Sequence, residues 1–182
     1  FGHAGATTVT TQPAVVGDRI FIGSPNGAIY SLDSKTGCVH WKFETAGEVR
    51  AAIIVAVRAD GALGLYAGDR KAWVYALDAN TGKLLWKDKT DPHAWALVTS
   101  SPILHGGKLY VGTASFEELA GGSSSYECCT FRGAVVAYDA QSGERVWKSY
   151  VITEEPKKTK VMTSGVQLWG PSGAAVWTQP TI

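Results

Sequence analysis

The sequence carries little charge and no strong imbalance of sign, which argues against two classes of partner. Charged residues make up 18% of the 182 residues, and the formal net charge is +1. Because no segment holds a long run of one sign, nothing in the sequence supports a surface for nucleic acid or for acidic membranes. No apolar stretch approaches the roughly 20 residues that a membrane-spanning helix needs. We therefore expect no membrane span.

Cysteine is scarce and lacks the spacing of a metal site. The three cysteines are Cys38, Cys128 and Cys129. They form no CxxC motif and have no partnering pair of histidines. The adjacent pair leaves several states open: a strained disulfide between neighbours, separate disulfides to other partners, or free thiols.

A starting methionine and a signal segment are also missing. The chain begins at Phe1, and residues 179–182 stop within a predicted strand. We expect a piece of a longer protein, whose secretory signal could have been lost with the missing N-terminal part. Even so, 182 residues are enough for one domain with a substantial core.

What the sequence does contain is glycine, tryptophan and a repeat. There are 21 glycines and 7 tryptophans, a composition typical of a protein rich in turns and strands. In three places an aspartate is followed by glycine four residues later and by tryptophan eight residues later; the first and last residues of these units are Asp33 and Trp41, Asp78 and Trp86, and Asp139 and Trp147. We interpret these tryptophans as structural, since a large flat side chain can pack between neighbouring sheets.

The segments before each aspartate alternate between apolar and polar residues and are separated by turn signals, which predicts strands. Four short strands per unit of about 45 residues are typical of a β-propeller blade. We predict an all-β protein, a partial β-propeller domain over residues 1–182. Its four-stranded blades are predicted at about 9–43, 48–88 and 96–150, with a fourth beginning at 173–182. Because blades bury their faces by stacking, the remaining blades of the propeller are expected partners.

The third repeat differs from the others by an insertion. Gly112 and Asp139 are 27 residues apart, whereas the equivalent residues are 10 apart in each upstream repeat. Loops at strand ends commonly hold ligands, so we predict that the repeats are scaffold and that the insertion is a functional site. The charged connection at 153–160 is interpreted as a solvated loop, and His93 as a satisfied loop residue.

The blade motif ALDxxTGxxxW resembles that of the pyrroloquinoline quinone (PQQ) dehydrogenases. Further segments, SFEE, YECCTFRG and WGPSGAAVWTQPTI, are similar to the polyvinyl-alcohol-dehydrogenase type of these quinoproteins. Outer-membrane assembly propellers share the blade motif, so the combination of YECCTFRG with GPSGAAVW is the more specific signal. The resemblance covers essentially the whole chain and implies an eight-bladed propeller with PQQ on its axis.

The resemblance also implies roles for residues of the insertion. Two adjacent carboxylates repel each other, and a hard cation such as Ca²⁺ relieves that repulsion. The resemblance implies that Glu117 binds Ca²⁺, with Glu118 as the second choice; the alternative is a solvated pair. Similarly, it implies that a disulfide between Cys128 and Cys129 covers one face of PQQ.

Further residues are assigned to the cofactor. Arg132 and Arg50 could each bind one of the three PQQ carboxylates, although Arg50 could instead form a salt bridge between blades. Gly173, Ala174 and Trp177 lie in a run that resembles the floor beneath PQQ, where small residues admit the ring and tryptophan stacks on it. The alternative for Trp177 is a place in the core.

The resemblance implies PQQ- and Ca²⁺-dependent oxidation of small or polymeric alcohols, with electrons passed to a cytochrome c. No residue here matches the family's general base, which we expect outside this chain, so the chain alone is expected to be inactive. The alternatives are a non-catalytic propeller that acts as a binding or assembly scaffold, and a relative that has lost its cofactor. PQQ enzymes work outside the cytoplasm, so we predict a periplasmic or secreted location.

Overall fold

Three antiparallel sheets follow one another along the chain in a computed structural model that describes residues 11–182. The first sheet contains β1 (Ala14–Val16), β2 (Arg19–Ser24), β3 (Ala28–Asp33) and β4 (Val39–Glu44). The second contains β5 (Ile54–Val57), β6 (Leu63–Gly68), β7 (Trp73–Asp78) and β8 (Leu84–Lys89). The third contains β9 (Ala96–Leu97), β10 (Ile103–His105), β11 (Lys108–Ser115), β12 (Ala134–Asp139) and β13 (Arg145–Tyr150). Within it β9 pairs with the end of β11, and the other four strands are hydrogen-bonded in chain order.

The remaining elements lie in two segments that the first two blades lack. A single helical turn, α1 (Glu117–Gly121), lies in the insertion between β11 and β12. After the third blade, β14 (Lys157–Val161) and β15 (Gln167–Gly170) form a hairpin. In residues 11–182 no helix is both long and apolar enough to cross a membrane.

The predicted all-β fold of four-stranded propeller blades is confirmed. Residues 9 and 10, which the prediction places in the first blade, lie outside the described residues. In the segment 173–182, predicted to begin a fourth blade, Gly173 forms one isolated β-bridge with Arg132. The start of a fourth blade there stays a prediction.

The hairpin departs from the expected solvated loop at 153–160. All five side chains of β14 are exposed. Its sequence therefore lacks the alternation of apolar and polar residues that predicts a strand. The hairpin closes through Gly165, which has a φ of +85° and donates its N–H to the carbonyl of Met162.

Each aspartate of the repeat closes the turn between the third and fourth strands of its blade. Asp78 accepts hydrogen bonds from the backbone N–H groups of Asn80 (3.1 Å) and Thr81 (2.8 Å) and from the Thr81 hydroxyl (2.8 Å). Gly82 completes the turn with a φ of +72°, a region that side chains disfavour. In the third blade, the Ser142 backbone N–H and hydroxyl donate equivalent hydrogen bonds to Asp139. These hydrogen bonds lower the pKa of the Asp139 carboxyl below its usual value.

Two of the repeat tryptophans join their blade to the aspartate turn of the next blade, a contact that we call the tryptophan lock. The Trp41 indole N–H donates to the carbonyl of Ala79 (3.1 Å), and its ring lies so close to Gly82 that any side chain there would overlap it. The same two contacts join Trp86 to Ala140 (3.0 Å) and Gly143. Trp147 is 41% exposed, since the described chain contains no fourth turn for it to cover.

Apolar clusters fill the two junctions between blades. Successive residues of a strand point to opposite faces, so the middle blade contributes to both clusters. Leu65 and Leu77 pack toward the first blade, whereas Tyr66 and Val74 pack toward the third. The middle blade is therefore buried on both faces.

Replacement of a locking tryptophan tests this arrangement. We expect Trp86→Ala to lower the free energy of unfolding by about 3–5 kcal/mol, because a buried indole and its hydrogen bond are lost. Leu85→Ala is the control. The Leu85 side chain, next to Trp86 in sequence, is 37% exposed, and we expect its replacement to lower the free energy of unfolding by about 1 kcal/mol or less. Urea unfolding of both variants measures the difference. Equal losses would contradict the locking role.

Candidate functional site

The predicted site residues all lie at one end of the sheets. In an antiparallel blade, the loops after the second and fourth strands emerge at the same end. These loops comprise residues 25–27, 69–72 and 116–133, together with 45–53, 90–102 and 151–180. Arg50, the insertion residues and the run from Gly173 to Trp177 therefore share this end, opposite the aspartate turns.

In the second strand of each blade (β2, β6 and β11), a glycine leaves room for a valine from the loop that follows the fourth strand. The pairs are Gly23 with Val49, Gly68 with Val98 and Gly112 with Val176; a Cβ on any of these glycines would overlap the valine side chain. Each valine N–H also donates to a carbonyl just after the glycine, at 2.9–3.1 Å. The residues that follow the three valines therefore occupy equivalent positions, and they are Arg50, Thr99 and Trp177.

These three residues, which we call the junction triad, lack polar partners within residues 11–182. Arg50 is exposed and forms no ion pair there, so the blade-to-blade salt bridge is not found in this part of the chain. The Oγ1 atom of Thr99 is buried without a hydrogen-bond partner. Trp177 is 44% exposed within the described residues, and its ring centroid lies 6.2 Å from that of Phe116. Its role toward a cofactor stays a prediction. The triad thus offers a cation, a hydroxyl and an aromatic face. The sequence argument missed Thr99, which aligns with Arg50 and Trp177 only through the repeat.

The Glu117 carboxylate connects the start of the insertion to its end through hydrogen bonds. The carboxylate is 2% exposed and accepts the backbone N–H groups of Thr130 (2.8 Å) and Phe131 (2.7 Å). The Tyr126 hydroxyl donates to it as well, at 3.2 Å. Burial raises the pKa of Tyr126, and the Glu117 charge raises it further. The carboxylate therefore ties the start of the insertion to its end.

His93 lies beside this carboxylate. Its Nδ1 accepts the Trp95 N–H at 3.2 Å, which leaves Nε2 as the donor of the neutral ring. Nε2 lies 3.0 Å from the Thr130 hydroxyl and 3.4 Å from a Glu117 oxygen. His93 is thus a satisfied loop residue, as predicted.

Cys128 and Cys129 form a disulfide with each other, which decides among the states left open by the sequence. Cys38 is free and exposed. Gly121 makes room for the disulfide, since a Cβ there would lie 2.5 Å from the Cys128 sulfur. The Cys128 carbonyl accepts the N–H of Trp169, in β15, at 2.6 Å. The disulfide is therefore held between α1 and the hairpin.

Arg132 and its neighbours join the insertion to the last segment. The Arg132 guanidinium donates to the carbonyls of Thr153 (3.1 Å) and Glu154 (3.2 Å) and stacks on the Tyr150 ring. Gly173 exchanges two backbone hydrogen bonds with Phe131 and Gly133. Ala174 adopts a φ of +52°, and its carbonyl lies where a side chain on Gly133 would be. The roles of Arg132, Gly173 and Ala174 toward a cofactor stay predictions.

The two glutamates supply at most part of a calcium site. Ca²⁺ takes six to eight oxygen ligands, and the Glu117 oxygens already accept protein hydrogen bonds. Glu118 is exposed. Across the described residues no group of three or more His, Cys, Asp or Glu side chains could hold a metal ion. The metal assignment stays a prediction.

Replacement of Glu117 tests its hold on the insertion. We expect Glu117→Ala to lower the free energy of unfolding by about 2–3 kcal/mol, because two backbone N–H groups lose a charged acceptor. Protease cleavage within residues 119–130 should also become faster. The adjacent exposed Glu118→Ala is the control and should change the free energy by about 0.5 kcal/mol or less. Measurements in EDTA remove any metal contribution; equal behaviour of the two variants would refute this role.

The model of the PQQ_2 family, described as outer membrane protein assembly factor BamB, matches residues 3–171. Relatives named polyvinylalcohol dehydrogenase are 43% identical in Pseudomonas sp and 41% identical in Sphingopyxis sp. (strain 113P3), in each case over 94% of this chain. The chain spans only 27% of the length of each.

A solved structure extends the likeness to three dimensions. A quinohemoprotein alcohol dehydrogenase from Pseudomonas putida HK5 is 25% identical, with a TM-score of 0.64 over 87% of this chain and 23% of that one. These similarities confirm the family resemblance that the motifs indicated.

Proposed function

Since the chain belongs to the PQQ_2 family, we propose that it is part of a PQQ- and Ca²⁺-dependent alcohol dehydrogenase and forms one side of the cofactor site. The observation that carries this proposal is the junction triad. Three equivalent positions at one end of the blades present Arg50, the buried unpaired hydroxyl of Thr99 and the exposed ring of Trp177.

The triad suits the chemistry of PQQ, a flat quinone with three carboxylates. The Trp177 ring can stack on the flat face. The Arg50 guanidinium can pair with a carboxylate, and the Thr99 hydroxyl can donate to an oxygen of the ligand. A buried hydroxyl without a partner is unfavourable, so a ligand that accepts its hydrogen bond would stabilise the site.

The insertion would cover the face of PQQ opposite to Trp177. A disulfide is compact and polarizable and can lie against a flat ring. Its position is fixed by Gly121 on one side and by the Trp169 N–H on the other. Glu117 holds the same segment through Thr130 and Phe131, so the cover would be placed before the cofactor binds.

When bound, PQQ would accept the hydride equivalent that an alcohol loses on oxidation. The residues of this chain would bind and orient the quinone and exclude water from it. The general base would come from outside this chain. Calcium would take oxygens from Glu117 or Glu118 and further ligands from outside the described residues.

The names of the relatives favour an alcohol, small or polymeric, as substrate. We include a cytochrome c as electron acceptor and a periplasmic or secreted location in the proposal. The disulfide between Cys128 and Cys129 supports that location, because disulfides persist in oxidising compartments.

A second candidate is a propeller that serves as an assembly scaffold, which the family description favours. A scaffold needs the tryptophan locks but has no use for an unpaired buried hydroxyl. The junction triad is therefore the feature that separates the two candidates.

Titration of the full-length protein with PQQ, followed by absorbance with and without Ca²⁺, tests the proposal. We expect saturable binding that weakens about tenfold or more in Thr99→Val and in Trp177→Ala, because each loses a direct contact. Thr159→Val, on the exposed strand β14, is the matched control and should bind as the wild type does. A folded protein that binds no PQQ would leave the scaffold as the better account.

A further inference from the structure

A cavity of about 410 Å³ lies between the insertion and the β14–β15 hairpin. Its size falls within the range of small-molecule sites, roughly 300–1,000 Å³. The residues that matter for its chemistry are Asp91, His93, Arg132, Tyr150, Glu155 and Trp169. One wall belongs to the insertion and another to the segment after β13, both of which the first two blades lack, and the loop after β8 completes the cavity.

The charges of the cavity are neutralised within the protein. Asp91 is 5% exposed and pairs with the Lys148 ammonium. The Arg132 guanidinium lies 3.7 Å from a Glu155 oxygen and also donates to backbone carbonyls. Asp91, Arg132 and Glu155, which line the cavity, are therefore each paired within the protein.

The surfaces that remain are aromatic and hydrogen-bonding. Trp169 is half-buried and Tyr150 lies at the end of β13, and both line the cavity. The Arg132 guanidinium covers one face of the Tyr150 ring at 4.0 Å, and the Lys158 ammonium lies 5.6 Å from the centre of the Trp169 ring. Glu155 is exposed and can accept a hydroxyl hydrogen bond, and Thr130 supplies a hydroxyl beside His93. Alternating apolar and hydrogen-bonding surface suits a neutral molecule that carries hydroxyl groups on an apolar backbone.

The cavity also adjoins the cover of the proposed cofactor site. Trp169 donates its backbone N–H to the Cys128 carbonyl, and Thr130 and Phe131 continue directly from the disulfide into the cavity wall. A long molecule with one hydroxyl at the cofactor could extend past this segment into the cavity. A short alcohol would not reach it.

We propose that this cavity is a subsite for the chain of a polymeric polyol substrate, remote from the hydroxyl that is oxidised. The inference rests on the proposed function and adds to it a place where polymer is distinguished from short alcohol. Binding there would act mainly on the KM for the polymer, since remote contacts are made in the ground state and transition state alike.

The test uses the full-length holoenzyme with polyvinyl alcohol and with 2,4-pentanediol as the short analogue. We expect Trp169→Ala to lower kcat/KM for the polymer about tenfold, chiefly through KM, and to leave the value for pentanediol within about twofold of wild type. Trp169→Phe, which keeps an aromatic face, should restore most of the loss. Met162→Ala, an exposed residue at the turn of the same hairpin, is the control and should change neither.

Three outcomes would overturn the inference. An equal loss on both substrates would show that Trp169 acts on the reaction centre or on folding. No loss on either would show that the polymer does not bind the cavity. A wild-type holoenzyme that oxidises neither substrate would reject the proposed function itself, and this subsite with it.

Discussion

The contact between a repeat tryptophan and the next aspartate turn is the interaction on which the architecture depends. Trp41 and Trp86 each bind a carbonyl and cover a glycine of the following blade, at the end of the sheets away from the site. At the other end the valine–glycine contacts fix the same junctions. Because each valine packs on the corresponding glycine of its blade, the residue after each valine recurs at an equivalent position. The junction triad is thus a product of the repeat.

The variable parts of the third blade are built on this fixed frame. The insertion and the segment after β13 are separate in sequence, yet they bind each other through the Cys128 carbonyl, Arg132 and Gly173. Contacts between these two segments support the disulfide and form part of the neighbouring cavity. The third blade therefore carries the disulfide and the cavity, whereas the junction triad is spread over three junctions.

Much of this could be predicted from the sequence, because glycine, aspartate and tryptophan recur at fixed spacings that only the blade geometry explains. The insertion was visible as a longer interval in the third repeat. The hairpin was not, since the side chains of β14 are all exposed and show no apolar pattern. Thr99 was missed because its unpaired hydroxyl becomes evident only once its surroundings are known. The partners of Glu117 were missed because they are backbone N–H groups 13 and 14 residues away.

A crystal structure of the full-length protein with PQQ would test the central claim most directly. We expect the quinone to lie on the propeller axis, with the Trp177 ring on one face, the Cys128–Cys129 disulfide on the other and the Thr99 hydroxyl within hydrogen-bonding distance. Quinone bound elsewhere, or a Thr99 hydroxyl that pairs instead with a residue from another blade, would contradict it.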